Sequence, residues 1–392
     1  MILLSGSTGF LGSAMLGDML DRHPEQELGL LIRDSKGSDG VQRGREVLHR
    51  ALGRERAERE SGRVRVVAGD LVEENFGLGQ TEFEELAQRT SMIFHSAAST
   101  SFTQTIAEAR EINLRGTESL LRLAQLNSGN IAFRHISTAY VAGTSEGVVT
   151  PYHLGSGFRN TYEQSKAEAE FLLRENRQYL KDLVVFRPSI IVGDSKTGET
   201  TSFNVIYAPS KMLIKGMFSV VPGNPASLLD VVPVDYVARV ISTLASRVRE
   251  AGSYTSLHVC SGVGREASIK EIIECLVNAF NKFSAHKFGA QRLQFPEFLS
   301  PEMLARLNGA IAQAALHGIK NIERFLERNI PFIGHLLPYV HYMLHNPQFC
   351  TQDTMRELGD EFDPAPLFTA YADKVFGYCF ATDWGKRPLA VI

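Results

Sequence analysis

Cysteine is scarce in this chain: Cys260, Cys275, Cys350 and Cys379 are the four in 392 residues, and no two stand in C-x-x-C spacing. This excludes a disulfide-stapled scaffold and a zinc ribbon, and leaves reduced thiols in a cytoplasmic protein as the expectation. Charge of one sign is lacking too, because 41 basic residues face 44 acidic ones for a net charge of −3. So even a balance creates no field that would gather nucleic acid or an anionic surface. No apolar run approaches the roughly 20 residues of a membrane-spanning helix. The first apolar strand begins at Met1 itself, so a signal peptide is not expected. Peripheral contact with a membrane stays open, and nothing in the sequence fixes an oligomeric state. A metal site is not expected: His341 and His345 share a helix face, but neither His335 nor any His-Glu-x-x-His motif completes a ligand set.

What is present is a regular alternation of strand-length apolar runs with helical segments. The runs Ile2–Leu4, Leu28–Ile32, Val64–Val67, Met92–Phe94, Ile131–Ile136 and Leu183–Phe186 read as strands buried on both faces. Between them Leu11–Arg22, Asp39–Glu60, Thr81–Gln88, Ile106–Gln125 and Tyr162–Tyr179 carry helical patterns. Such alternation predicts an α/β fold, a doubly wound parallel sheet with right-handed crossovers and ligands at the carboxyl ends of its strands. After Val192 the alternation weakens, and from about Ala267 the pattern is mainly helical. One apolar face runs through Met303, Leu304, Leu307, Ile311, Ala315, Ile319, Ile322 and Leu326. The expected organisation is a dinucleotide-binding Rossmann-type domain over 1–262 and a smaller, mainly helical substrate lobe over 263–392, with 193–230 contributing to that lobe. The helices of the lobe cover the sheet and form its core; part of their apolar surface could instead line an acyl-chain tunnel or rest on a membrane.

The first turn of this pattern is Gly6-Ser7-Thr8-Gly9-Phe10-Leu11-Gly12, directly after the first strand. A strand, a glycine-rich turn and a helix start form a pyrophosphate site, because the backbone can approach the phosphates and the helix N-terminus offers free N–H groups. Downstream, Tyr162 and Lys166 stand four residues apart, one turn on the same helix face. A neighbouring ammonium is expected to lower the tyrosine pKa from about 10 toward the working range. The strand around His135 ends in Ser137-Thr138, which puts a hydroxyl at the cofactor end of the sheet. Singly, each motif has a plain alternative as a cap, a turn or an amphipathic helix. Their order along one chain makes the joint reading the stronger one.

These residues resemble those of an extended short-chain dehydrogenase/reductase, and more narrowly the branch of fatty acyl-CoA reductases and thioester reductase domains. The matching segments are Ser5–Gly12, Leu31–Arg33, Gly69–Leu71, His95–Ala98, Asn113–Thr117, Ile136–Tyr140, Tyr162–Lys166 and Phe186–Gly193. Leu336–Tyr339 and Phe349–Leu358 resemble the reductase tail loosely. The resemblance implies Thr138 as catalytic hydroxyl, with Ser137 as fallback, Tyr162 as acid and Lys166 as its tuner. It also implies a cofactor held by Gly6, Thr8, Gly9, Phe10, Leu11, Gly12, Tyr162 and Lys166. Asp70 and Leu71 would lie by the adenine, Ala97 and Ala98 beneath the cofactor, and Pro188 and Ser189 near the nicotinamide. Asn113 would be a structural residue nearby.

Arg33 ends the second strand, where a cation meets a 2′-phosphate and an acid would meet a free ribose hydroxyl; this favours NADPH, although Asp34 follows at once. Residues 41–65 hold eight arginines against four glutamates. That excess reads as a solvated face, or as further help with a cofactor phosphate, coenzyme A or an acidic carrier. The implied activity is NADPH-dependent reduction of an acyl thioester, on coenzyme A or a carrier protein, to aldehyde, with a second reduction to alcohol left open. A sugar-nucleotide epimerase or dehydratase, a hydroxysteroid-type dehydrogenase and a non-catalytic NADPH-binding regulator are the alternatives.

Overall fold

Short apolar segments zip into one parallel sheet because each is buried on both faces and joined to the next by a helix. In the computed structural model the sheet strands are β1 (Ile2–Ser5), β2 (Leu28–Ile32), β3 (Val64–Ala68), β4 (Met92–His95), β5 (Ala132–Ile136), β6 (Asp182–Pro188) and β7 (Tyr254–Val259). The structure describes residues 1–387 apart from 36, 218–219, 288–291, 300–301, 303–304, 307–308, 310–332 and 345. The expected apolar face from Met303 to Leu326 lies outside the described residues at each named position, as does His345.

The strand order is β3-β2-β1-β4-β5-β6-β7, every pair parallel. The chain therefore reverses direction across the sheet between β1 and β4, and a crevice opens there at the carboxyl ends. Pleating sends alternate residues to opposite layers. Ile2 and Leu4 pack with the helices Phe10–Arg22 and Val234–Ala245, while Leu3 packs with the helices Gln80–Arg89 and Arg115–Leu126 on the other side.

A third core gathers Tyr140, Val149, Ile206, Leu213, Leu229, Ile273, Leu276, Phe349 and Phe376, so the stretches after β5 and β6 meet the C-terminal helices there. Downstream of residue 262, Leu358 and Ala365 belong instead to the first core, beside the helix Val234–Ala245.

Three helices differ from their sequence patterns. Ile106–Gln125 is two helices, Ile106–Asn113 and Arg115–Leu126. Asp39–Glu60 is two helices, Gly40–Leu52 and Arg54–Glu60, because Gly53 between them takes φ +75°. The Tyr162 helix spans Thr161–Glu175, with Arg177–Tyr179 continuing as a separate tight turn. β7 adds a strand that the sequence pattern does not mark, its polar residues Thr255, Ser256 and His258 interrupting the apolar run.

Candidate active site

The turn after β1 is built on two glycines that nothing larger could replace. Gly6 takes φ +80°, and a Cβ on it would lie 2.4 Å from the Ala97 nitrogen; a Cβ on Gly12 would lie 2.1 Å from the Gly6 carbonyl oxygen. The first-turn N–H groups of Phe10, Leu11 and Gly12 have no intrahelical acceptor, as at any helix start, and this helix begins with no side-chain cap over them. A cradle of this shape fits a pyrophosphate.

From the cradle a cleft of about 460 Å³ runs along the strand tips. Thr8, Gly9, Phe10, Leu11, Gly12, Ala98, Ser137, Thr138, Tyr162, Lys166, Pro188 and Ser189 all line it. A second cavity of about 360 Å³ shares Thr8, Gly9 and Ala98 with it and is lined by Gly6, Arg33, Asp70, Leu71 and Ala97. Every residue singled out by motif or resemblance for cofactor or chemistry thus borders one continuous groove. Arg43 borders its outer end as well, and its guanidinium donates to the Arg33 carbonyl. Asp34 does not face the groove as a free acid, because its Oδ1 accepts the Gly40 N–H at 2.8 Å.

At the inner end the two hydroxyls have different neighbours. The Thr138 side chain accepts from the Tyr140 N–H at 3.3 Å and also lies against the Tyr162 phenol. The Ser137 hydroxyl is buried with no hydrogen-bond partner. Lys166 donates to the Ile136 carbonyl at 2.7 Å and stands 3.3 Å from His135 Nε2. Burial pulls its pKa down to about 8, the nearby Glu170 carboxylate opposing that shift.

The Tyr162 pKa moves opposite to the expectation. Burial pushes it up to about 12, a hydrogen bond with Thr138 offsets that in part, and the Glu163 carboxylate adds to the rise. The Tyr162 phenol is therefore protonated at neutral pH.

The match to known proteins is consistent with this geometry. A family model described as Male sterility protein covers residues 4–241, more than half of the chain. The chain belongs to that family. Within it, this is an extended short-chain dehydrogenase/reductase of the branch holding fatty acyl-CoA reductases and thioester reductase domains. It is 29% identical over 274 residues to fatty acyl-CoA reductase 1 of Homo sapiens, covering 60% of this chain and 52% of that one. It is 30% identical over 267 residues to the aldehyde reductase lnaA of Aspergillus flavus, covering 64% of this chain and 25% of that one. The chain thus spans about half the length of the first relative and a quarter of the second. Among solved structures, the terminal R domain of the myxalamid biosynthetic pathway superposes with a TM-score of 0.73, at 22% identity over 99% of this chain and 92% of that one.

In this member of the male sterility family the Tyr162 helix is tethered along its length. Its N-cap Asn160 accepts the Glu163 N–H at 2.9 Å. The Ser165 hydroxyl accepts from Asn113 Nδ2 at 2.9 Å, and Asn113 also binds both backbone groups of Ser99. Asn113 is thus a strut between the crevice loop and the helix. One turn past Lys166, Glu170 receives two donors from Arg187 of β6, the Nε at 3.0 Å, in a fully buried pair. The remaining tether comes from far along the chain: Tyr342, on the helix Ile333–Leu344, donates to Glu163 at 2.6 Å and accepts from Asn160 at 2.9 Å. Arg159 stacks over both Tyr140 and Tyr342, at 5.4 Å and 5.2 Å.

Sequence reasoning missed Phe102, Tyr140, Asn204, Val205 and Tyr342 as walls of the cleft. The only available signal was the aromatic content of Ile136–Tyr140 and of the segment after Leu336. All four cysteines are free thiols. Among the described residues, no group of three His, Cys, Asp or Glu could hold a metal, and no helix is long and apolar enough to cross a membrane.

Proposed function

We propose that this chain is an NADPH-dependent reductase of an acyl thioester, presented on coenzyme A or on a carrier protein, giving an aldehyde and, by a second reduction in the same cleft, an alcohol. The observation that carries this reading is the meeting of Thr138, Tyr162 and Lys166 in one cleft continuous with the Gly6–Gly12 cradle. The cofactor fits by chemistry: the cradle offers backbone donors to a pyrophosphate, and Arg33 and Arg43 are the cations at the far end. Asp34, the acid next in sequence to Arg33, is engaged with the Gly40 N–H instead of being free to grip a ribose hydroxyl, which supports the 2′-phosphorylated form. Bound in this groove, NADPH supplies a hydride equivalent to the substrate carbonyl carbon.

The protein's own residues handle the charge that develops. Thr138 and Tyr162 donate hydrogen bonds to the carbonyl oxygen as it becomes an oxyanion. Tyr162, kept protonated by burial, gives up its proton to that oxygen, and Lys166, four residues on along the same helix, supplies the positive charge of the site. The hemithioacetal then collapses: the C–S bond breaks, thiol leaves and aldehyde forms. Residues of 205–229, of the helix Ile269–Lys287 and of the helix Ile333–Leu344 border the space that receives the acyl group.

The test is NADPH oxidation by the full chain across acyl-CoAs, acyl-carrier proteins and free aldehydes, with mass spectrometry of the products. Thioester-dependent oxidation yielding aldehyde is expected. Absence of oxidation with every thioester, or tightly bound NAD in the purified protein, overturns the reading.

A further inference from the structure

Beyond the cleft's far wall lies a second, narrower cavity of about 50 Å³. Ile206, Leu213, Leu229, Ile273, Leu276 and Met343 are among its lining residues. Of the three hydroxyls in that lining two are engaged with protein, Ser210 donating to the Ile206 carbonyl at 2.6 Å and Tyr342 to Glu163, and the third belongs to Tyr339. They leave little for a polar ligand to bind. Only an apolar group gains from entering such a space.

Two residues border both this pocket and the reaction cleft, Val205 and Tyr342. Val205 holds φ +42°, a backbone region that β-branched residues rarely occupy. A strained residue therefore stands where the two cavities adjoin, and strain of this kind persists only where the surroundings enforce it. Tyr342 is the residue that also tethers the Tyr162 helix, so the partition and the proton donor share one support.

We infer that the apolar pocket receives the distal end of the acyl chain, and that Val205 and Tyr342 form the partition that sets which chain lengths are accepted. The inference rests on the acyl-thioester reading of the cleft. Its occupant follows from continuity: a chain whose carbonyl lies against Thr138 and Tyr162 has its apolar continuation on the Val205 side of the same cleft. Each methylene buried there strengthens binding about fourfold, so chain-length preference becomes steep once the pocket is reached.

The experiment compares dodecanoyl-CoA with butyryl-CoA in NADPH-dependent turnover, and adds binding of a fluorescent polyene fatty acid. Leu276→Trp, which fills the pocket, is expected to lower the dodecanoyl/butyryl ratio of kcat/KM at least tenfold and to weaken the probe by a similar factor. Val205→Ala is expected to raise the same ratio. Leu213→Phe fills the space with less added volume and stands in if Leu276→Trp does not fold, as judged by thermal melting. In the unmodified chain, a fatty acid carrying a terminal diazirine should label peptides containing residues 205–213 or 269–276.

Folded filling variants with unchanged ratio and probe affinity, or labelling confined to other peptides, overturn the inference. If neither acyl-CoAs nor acyl-carrier proteins support NADPH oxidation while the probe still binds the pocket and is excluded by the filling variants, the reductase reading fails and the pocket assignment stands.

Discussion

At the outer end of the groove the Arg33 side chain is 64% exposed and meets Asp70 at 3.5 Å, in water. At the inner end Lys166 is buried, its ammonium donating to a backbone carbonyl at 2.7 Å and its pKa drawn down to about 8. The outer pair is screened and contributes at most about 1 kcal/mol, so it can open to a phosphate at little cost. The inner cation has lost its water, and any change around it alters both proton affinity and structure. Recognition at the adenine end is therefore cheap to modify, whereas the reactive end is rigid and sensitive.

The sharpest way to test that contrast is Tyr162→Phe. It removes the proton donor while leaving the cradle and Arg33 untouched, so kcat should fall by roughly 10² or more with NADPH affinity nearly unchanged. Stopped-flow turnover with cofactor titration checks it; near wild-type turnover would remove Tyr162 from the chemistry.

Next in size is Glu170→Gln, which leaves the Arg187 guanidinium buried without its counter-charge. Breaking such a pair costs about 3 kcal/mol or more, visible in the denaturation midpoint. A change under about 0.5 kcal/mol would mean that the helix is not held there.

The third test uses pH. Burial depresses the Lys166 pKa from 10.5 to about 8 in the folded chain. Across that window the unfolded chain binds more protons than the folded one, so stability should rise as pH increases from about 8 to about 10.5. Activity has the opposite slope, because the positive charge that Lys166 supplies to the site is lost as pH rises through about 8. The alkaline limb of kcat/KM should thus lie near pH 8 and move above 10 in Lys166→Arg, whose guanidinium stays charged. A limb that stays in place would assign it to another group.

The smallest effect belongs to the outer end. Arg33→Ala should weaken NADPH by about fivefold at low salt and less at high salt, with NADH little affected. Equal losses for both cofactors would contradict a 2′-phosphate contact.

Much of the fold could be read from the sequence because strands buried on both faces carry an unbroken apolar signal. β2 spans Leu28–Ile32 as its run indicates, and β1, β3, β4, β5 and β6 differ from theirs by one or two residues at their ends. β7 escaped detection because Thr255, Ser256 and His258 interrupt it; neighbours in the folded sheet make that strand, rather than its own composition. The glycine turn and the Tyr162–Lys166 spacing were legible for the same local reason: a tight turn and one helical turn are fixed by a few adjacent residues. The direction of the Tyr162 pKa was not, since it depends on how deeply the folded chain buries the phenol.

The sequence by itself therefore determined the succession of strands and helices along the chain, the glycine cradle and the one-turn spacing of Tyr162 and Lys166, because each is set by short-range geometry. Only the tertiary structure decided that Asp34 accepts the Gly40 N–H, that the Thr138 hydroxyl meets the Tyr162 phenol, and that Tyr342 from the distant helix Ile333–Leu344 lines the cleft. Those choices rest on contacts between segments up to 182 residues apart. Long-range contacts of that kind are specified by how packed layers meet, and no local pattern in the chain records them.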